Sequence, residues 1–278
     1  MWNEIIIYPF TNVLLWIYNV IGHNFGIAII LFTILIKLIT WPLNAQQLKS
    51  AKVMQDLQND KEWQDIQKKY AKDREKLAQE QMRIYKERGI NPLASCLPTL
   101  IQFPIIIGLY QSIIHALAAT PLGLLQLAQG LYPFLNTALL IPLNSKFLWM
   151  DLGKPEGIAL PGLNVPFLPY GFPTLAIIVA ITTYLQTKLT MPPATAGGND
   201  QGAMMNSMMG IYMPLLLGYF ALNFASGLAV YFITSNVLGI VQYASMGRVN
   251  WNNVLPGWMK KPEVKPTQKQ IAAGRKKS

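Results

Sequence analysis

The sequence predicts an all-α integral membrane protein. Its 278 residues are 52% hydrophobic and only 13% charged, whereas a soluble domain of this length carries about 25% charged residues. Long uncharged stretches approach the roughly 20 residues that a helix needs to cross the hydrocarbon core. The basic residues are concentrated in two polar segments instead of being spread along the chain. Together these features exclude an ordinary soluble globular protein.

Five stretches have the length and apolar character of transmembrane helices: 24–43, 96–118, 171–190, 205–224 and 226–246. Two further apolar stretches, 3–22 and 122–143, are interrupted by prolines and amide side chains. The first is interpreted as an amphipathic helix in the membrane interface and the second as a loop or short helix at the surface. Either one is long enough to be an additional span, which would reverse the topology after it.

The basic residues predict the orientation of the chain. Eleven of the 23 lysines and arginines lie between residues 47 and 94, and eight lie between 248 and 278. The positive-inside rule therefore assigns both segments to the cytoplasmic side. Five spans satisfy this arrangement, with the N-terminus outside and the C-terminus in the cytoplasm.

The segment 44–95 differs in composition from the rest of the chain. It is rich in Gln, Lys and Glu, and its sparse apolar residues form helical stripes on both sides of a turn at AKDRE. This pattern favours an antiparallel helical hairpin over a solvated linker. The basic tail, 248–278, has no apolar periodicity and is predicted to be disordered. Residues 1–247 then form the membrane core.

Lys37 lies inside the first predicted span, where a cation is costly. One interpretation is snorkelling, because the lysine stem can reach the headgroups from about six residues inside the helix end. The other is that Lys37 faces a water-filled groove within the bundle. Thr33 and Thr40 share its helical face, and no acidic residue occurs in any of the five predicted spans. The missing carboxylate partner favours the groove.

Other predicted spans also carry polar residues, which are often hydrogen-bonding contacts between helices. The candidates for the groove are Gln102 in the second span, Gln186 in the third, and Tyr231 and Thr234 in the fifth. A positively charged, wet groove open to the cytoplasm suits a polypeptide whose polar or acidic segment must cross the bilayer, because water in the membrane lowers the cost of moving that segment.

The sequence contains no pattern expected of an enzyme, a metal site or a cofactor site. Cys96 is the only cysteine, His23 and His115 are the only histidines, and no nucleophile–base pair is recognisable. A small transporter or channel using Lys37 is the main alternative, but no internal repeat or relay partner supports it. A membrane-anchored ribosome scaffold would leave the polar residues in the spans unexplained.

Three stretches resemble the YidC family of membrane protein insertases, which has mitochondrial and chloroplast relatives. They are AIILFTILIKLITWPLNAQQLKSAKVMQDLQ, NPLASCLPTLIQFPIIIGLYQSI and FASGLAVYFITSNVLGIVQY. With the order of the spans, the resemblance covers nearly the whole chain. It implies the compact five-span form without a large periplasmic domain, and it identifies 3–22 and 122–143 as outer regions.

The resemblance also implies roles for individual residues. Lys37 occupies the position of the family's groove cation, which is usually arginine, so the charge is kept but the planar guanidinium is not. Thr33 and Gln102 match groove positions, and Tyr231 matches a tyrosine that contacts the substrate. The family further implies that substrates slide along an apolar path between the third and fifth spans.

The partners that this resemblance implies are nascent membrane proteins, the translating ribosome, the Sec translocon, signal recognition components and membrane lipids. The basic tail is a weak signal for ribosomal RNA or anionic lipid. The expected location is the bacterial plasma membrane, with the thylakoid membrane as the alternative, because the N-terminus does not resemble a transit peptide.

Overall fold

The structure is a computed structural model that describes residues 1–58, 60–70, 73–89, 97–117, 120–135, 143–157, 171–190 and 208–247. A π-helical turn, Asn3–Ile7, precedes α1 (Tyr8–Val20), α2 (Phe25–Gln58), α3 (Lys61–Lys69), α4 (Arg74–Glu87), α5 (Leu97–Ala116) and α6 (Pro121–Gly130). Strands β1 (Lys146–Phe147) and β2 (Met150–Asp151) follow, then α7 (Thr174–Thr190), a π-helical turn Met208–Tyr212, α8 (Met213–Asn223) and α9 (Ser226–Ser245). The prediction of a mainly helical protein is confirmed.

Two helical stretches among the described residues are long and apolar enough to cross a membrane, Phe25–Gln46 and Ser226–Ser245. They coincide with the first and last predicted spans. A third is obtained if Gln102–Ala116 and Pro121–Gly130, which meet at an angle of 118°, count as one broken span. Thr174–Thr190 and Gly210–Asn223 are shorter apolar helices. The count of five spans stays a prediction, and the basic tail, 248–278, lies outside the described residues.

Helix α2 continues from the first predicted span into the predicted hairpin segment without a break. Pro42 lies inside it and lacks the N–H that would bond to the carbonyl four residues earlier. The helix nevertheless runs for 34 residues, about 50 Å at 1.5 Å per residue. This length exceeds the roughly 30 Å hydrocarbon core. Helix α2 is therefore longer than a single crossing of the bilayer requires.

Helix α1 packs against α2 and α5 and buries Leu14, Leu15 and Tyr18. Asn12 joins it to the segment after α6. Its amide nitrogen donates to the carbonyl of Gly130 at 2.9 Å, and its amide oxygen accepts from the backbone N–H of Tyr132 at 2.7 Å. Residues of the segment 3–22 are thus hydrogen-bonded to residues of the segment 122–143. These are the two apolar segments that the sequence did not clearly assign as spans.

The main apolar core lies where α2, α7 and α9 begin. The start of α2 contributes Phe25, Ile29 and Phe32, all nearly inaccessible to solvent. They belong to one cluster with Ile113 near the end of α5 and Leu228 near the start of α9. Apolar side chains from several helices therefore pack together in this half of the bundle.

Helices α3 and α4 pack antiparallel and form a small hairpin. Asp60 and Asp73 cap their N-termini by accepting hydrogen bonds from backbone N–H groups, which stabilises the first turn of each helix. Trp63 from α3 and Ile84 from α4 are buried together with Leu57 at the end of α2. This second apolar cluster is separate from the main core.

Arg88, just after α4, connects the two helices electrostatically. Its guanidinium lies 2.7 Å from the carboxylate of Asp60 and 3.0 Å from that of Glu62, at the start of α3. The hydrogen bond to Asp60 raises the pKa of the Arg88 guanidinium above its ordinary value. Arg83 instead pairs with Glu80 and Glu87 of its own helix.

Replacing Arg88 by alanine is expected to destabilise the hairpin by about 1 kcal/mol, because it removes two partly exposed ion pairs between helices. Backbone amides of α3 and α4 should then exchange hydrogen faster in the intact protein. The matched variant Arg83→Ala removes pairs within α4 only, so α3 should be almost unaffected. Equal exchange in α3 for the two variants would contradict a role of Arg88 in joining the helices.

The two-stranded sheet connects several helix N-termini. The backbone N–H groups of Ser226 and Gly227, at the start of α9, donate to the carbonyls of Lys154 and Leu152 at 2.8 and 3.0 Å. The buried carboxylate of Glu156 accepts from the Nε1–H of Trp149 and from the backbone N–H of Leu175 in α7, both at 3.0 Å. Groups that a helix N-terminus leaves unpaired are satisfied in this way.

Replacing Glu156 by alanine is expected to lower the free energy of unfolding by about 2–4 kcal/mol, because two donors would lose a charged acceptor. Glu156→Gln should cost less, since one amide oxygen still accepts a hydrogen bond. Thermal unfolding in detergent micelles measures both. Asp151→Asn is a suitable control, because Asp151 is more exposed than Glu156 and its side chain accepts from the nearby N–H of Gly153. If Asp151→Asn lowered the free energy of unfolding as much as Glu156→Ala does, the proposed stabilising role of the Glu156 hydrogen bonds would be contradicted.

Candidate functional site

A cavity of about 310 Å³ lies among α2, α5, α7, α8 and α9. Apolar side chains from α5, α8 and α9 form one part of its lining: Phe103, Ile106, Met213, Leu216, Leu217, Phe220 and Phe232. Polar side chains form the other part: Lys37, Asn44, Gln102, Gln186, Tyr231, Ser235, Asn236, Gln242 and Tyr243. The cavity is therefore amphipathic, and Lys37 is its only cation among the described residues.

The polar lining lies in the half of the bundle that adjoins the hairpin of α3 and α4. Along α2, Lys37 is about 18 Å and Asn44 about 28 Å from Phe25, at 1.5 Å per residue. Gln102 is near the start of α5, which returns from the hairpin, while Gln186 and Gln242 are near the ends of α7 and α9. The apolar core occupies the opposite half. The half of the bundle next to the hairpin thus encloses this polar-lined cavity, while the main apolar cluster lies in the other half.

Several hydrogen bonds between helices involve residues of the polar lining, and two of them join α5 and α2 to α9. The Gln102 amide of α5 donates to the hydroxyl of Tyr231 in α9. The Asn44 amide of α2 donates to the Gln242 amide oxygen of α9 at 3.4 Å. Gln242 is almost fully buried, yet its amide nitrogen has no hydrogen-bond partner in the described part of the chain. A buried donor without a partner is costly, and this nitrogen belongs to a residue of the polar lining.

Lys37 forms no ion pair with any residue that the structure describes, and no acidic side chain lines the cavity. Its side chain is partly exposed. A cation in this setting depends on water or polar neighbours for solvation. The cavity therefore contains a lysine that has no carboxylate partner in the described part of the chain.

Asn236 links α9 to α7 beside the cavity. Its amide nitrogen donates to the hydroxyls of Thr182 and Thr183 at 3.1 and 2.8 Å. One turn further along α9, Gly239 lies so close to the Gln186 side chain that a Cβ at this position would overlap it. The two helices are therefore in intimate contact along the polar half of the bundle.

Four of the seven candidate residues from the sequence line the cavity: Lys37, Gln102, Gln186 and Tyr231. Thr33, Thr40 and Thr234 are not among its lining residues. Thr33 is fully buried and donates its hydroxyl to the carbonyl of Ile29, and Thr40 donates to that of Ile36. A threonine hydroxyl that bonds to its own helix does not need a polar cavity.

Five further polar lining residues were not among the candidates from the sequence: Asn44, Ser235, Asn236, Gln242 and Tyr243. A signal for two of them exists in α9, since Tyr231, Ser235, Gly239 and Gln242 recur at the spacing of one helical face. Asn44 is two turns after Lys37 and continues its face. Only the packing of α2 against α9 indicates that these two faces meet.

Comparisons with known proteins agree with this architecture. Residues 16–252 match the model of the family described as 60Kd inner membrane protein. The chain is 34% identical over 246 residues to the membrane protein insertase YidC 2 of Bacillus anthracis, covering 87% of this chain and 79% of that protein. It is also 34% identical over 245 residues to the insertase MisCA of Bacillus subtilis, covering 87% and 77%.

A solved structure described as an active YidC insertase with its first transmembrane domain resolved shares the fold, with a TM-score of 0.52 and 24% identity. The match covers 87% of this chain but only 46% of that one, so this chain spans less than half the length of the solved protein. The family match and the 34% identity extend over most of the sequence, and the resemblance inferred from the three stretches is confirmed. The chain belongs to the 60Kd inner membrane protein family, the YidC family of membrane protein insertases.

Proposed function

We propose that this protein is a membrane protein insertase and chaperone whose amphipathic cavity receives the polar or acidic segment of a nascent membrane protein. The observation that carries the proposal is the position of Lys37 in a cavity with several amides and hydroxyls. Among the described residues, Lys37 has no ion-pair partner and no acidic side chain lines the cavity. The hydrophobic span of the client leaves into lipid, while its polar segment moves through the cavity.

The electrostatics of the cavity support this role. Two opposite unit charges 4 Å apart attract each other by about 4 kcal/mol at an effective dielectric constant of 20. Lys37 would therefore favour entry of a client carboxylate and disfavour a basic flank. Four of the amides on the lining, from Asn44, Gln102, Asn236 and Gln242, can exchange hydrogen bonds with an incoming backbone. No covalent step is required, so the proposal is not an enzyme mechanism.

The position of the cavity supports the direction of transfer. The polar lining lies in the hairpin half of the bundle, and the apolar core closes the other half. We infer that the cavity opens toward the cytoplasm beside the hairpin, with the N-terminus outside and the C-terminus inside. A polar segment that enters the cavity then has only the apolar half of the bilayer left to cross, which shortens the barrier.

The partners follow from this role. We propose that clients are nascent membrane proteins delivered by a translating ribosome. The Sec translocon and signal recognition components are further proposed partners. Membrane lipids surround the exposed apolar faces of the helices. The proposed location is the bacterial plasma membrane, which agrees with the two bacterial relatives.

Insertion into liposomes tests the proposal. The purified protein is reconstituted, and a short single-span client with an acidic N-terminal tail is synthesised in its presence. Protection of the tail from added protease measures its transfer across the bilayer. We expect protection well above that in protein-free liposomes. Equal protection with and without the protein would contradict the insertase proposal.

The same liposomes test the transporter or channel alternative. A pathway that uses Lys37 for ions should dissipate a preformed anion or proton gradient in the absence of any client. As far as the structure describes it, the cavity lining includes no carboxylate or histidine that would serve as a relay. We therefore expect gradients to persist as long as in protein-free liposomes, and rapid dissipation would favour the alternative.

A further inference from the structure

The β1–β2 hairpin lies at the end of the bundle where the two longest apolar helices begin. The Phe147 ring packs so closely on Gly26, in the first turn of α2, that a Cβ at Gly26 would overlap it. The segment after β2 bonds to the first residues of α9 through the carbonyls of Leu152 and Lys154. Because α2 and α9 are both long enough to span the bilayer, the hairpin lies at the level of a membrane surface.

The tip of this hairpin is apolar and exposed. Phe147 pairs with Met150 across the strands, so Leu148 and Trp149 form a two-residue loop. The relative exposure of Leu148 is 73% and that of Trp149 is 54%. The only polar atom of the indole is turned inward, because its Nε1–H donates to Glu156 at 3.0 Å. The exposed surface of both side chains is therefore hydrocarbon.

The backbone at the tip does not favour the residue that occupies it. Leu148 has a φ of 53°, in the left-handed region that bulky side chains avoid. Two-residue hairpin loops usually place Gly, Asn or Asp at such positions. The exposed Leu148 side chain recovers little of this strain by packing within the protein. Glycine would avoid this strain, so a leucine at this position points to a partner outside the described part of the chain.

We propose that Leu148 and Trp149 insert into the interfacial layer of the lipid bilayer and anchor the hairpin to the membrane surface. Tryptophan is enriched in this layer, where its apolar ring contacts acyl chains close to the headgroups. The exposed Lys146 beside the tip carries a charge that matches lipid phosphate. The partner is lipid, because the tip is continuous with the start of the membrane helix α2 through Phe147 and Gly26.

This anchor has a structural consequence that goes beyond the proposed insertase activity. The segment that carries the tip also accepts hydrogen bonds from the N-termini of α7 and α9, through Glu156 and the carbonyls after β2. A tip held at a fixed depth therefore holds the outer ends of both helices at a fixed depth. These are the two helices that Asn236 joins beside the cavity.

Spin labelling measures the depth of the tip. The sole cysteine is removed by Cys96→Ser, and Leu148→Cys carries a nitroxide in protein reconstituted into vesicles of phosphatidylethanolamine and phosphatidylglycerol. Power saturation compares collisions with oxygen, which concentrates in the bilayer, and with a water-soluble nickel chelate. We expect oxygen to relax the label at 148 several-fold more effectively than nickel does. The matched label at Lys154→Cys, whose native side chain is 78% exposed, should show the reverse.

Two outcomes of the spin-label measurement would overturn the proposal. One is nickel accessibility at 148 as high as at 154, which would place the tip in water. The other is dipolar broadening that grows with the protein-to-lipid ratio, which would show that the tip contacts a second copy of the chain. Insertion activity plays no part in either readout, so failure of the anchor is distinguishable from failure of the insertase.

A second variant tests whether the leucine serves the fold instead. Leu148→Gly removes the side chain and relieves the positive φ. We expect the midpoint of thermal unfolding in detergent micelles to stay unchanged or to rise by a few degrees. A fall of several degrees would show that the Leu148 side chain stabilises the protein by itself, and the argument for an external partner would then fail.

Discussion

Replacing Lys37 by glutamate is expected to reduce insertion of a client with an acidic tail by at least about tenfold, the effect of about 1.4 kcal/mol on a rate. The reversed charge turns attraction of the client carboxylate into repulsion, and a change of several kcal/mol is available at close approach. Lys37→Ala should give an intermediate loss, because the amides of the cavity remain. Lys37→Arg should retain insertion, since it keeps the charge.

The measurement is the initial rate of protease protection in liposomes containing equal amounts of folded protein. Lys188→Glu is a matched control, because Lys188 lies near the end of α7 but is not among the cavity-lining residues. It makes the same charge change in the same half of the bundle. A client with a neutral tail should be less sensitive to the Lys37 variants. If Lys37→Glu inserted the client at the wild-type rate, a specific role for the Lys37 charge would be contradicted. The same would hold if Lys188→Glu lost as much of the rate as Lys37→Glu.

Replacing Tyr231 by alanine is expected to lower the free energy of unfolding by about 3–5 kcal/mol, the usual cost of removing a buried aromatic side chain. Tyr231 is only 1% exposed, and its ring lies 5.6 Å from that of Phe232. Its hydroxyl is also the partner of Gln102 from α5. The substitution therefore opens a void next to the cavity and removes a contact between α5 and α9.

Two further variants separate volume from hydrogen bonding. Tyr231→Phe keeps the ring and should cost only about 1 kcal/mol, the net value of one hydrogen bond. Tyr219→Ala removes a tyrosine of α8 that is 60% exposed, so we expect little change in stability in micelles. Unfolding of all three is followed by heat or denaturant in one detergent. If Tyr231→Ala and Tyr219→Ala unfolded with equal free energies, the Tyr231 side chain would not stabilise the bundle more than an exposed tyrosine does.

Four of the nine polar lining residues were predictable from the sequence, for a clear physical reason. Lys37 and Gln102 are conspicuous because polar groups are costly in apolar spans, and a cavity is one way to solvate them. Thr33 and Thr40 share the helical face of Lys37 but satisfy their hydroxyls on the carbonyls of Ile29 and Ile36. Periodicity specifies the angle of a residue on its helix, but it does not specify which neighbouring helix or cavity lies at that angle.

The sequence by itself determined the class of the protein and its family. A bilayer imposes a length and an apolar composition on any helix that crosses it, so the first and last spans are recognisable without a structure. The contact of α3 with α4 agrees with the apolar stripes on both sides of the AKDRE turn. Span length, apolar composition and helical periodicity depend on residues close together in the chain, so they can be read from the sequence directly.

Only the tertiary structure decided how these elements meet. Gln102 and Tyr231 are separated by 129 positions and bond across two helices. Glu156 and the carbonyls after β2 cap α7 and α9 from a short segment that has no strong sequence signal of its own. Such contacts depend on the relative rotation and depth of whole helices. These are set by the packing of many side chains together, because no single residue carries enough energy to specify them.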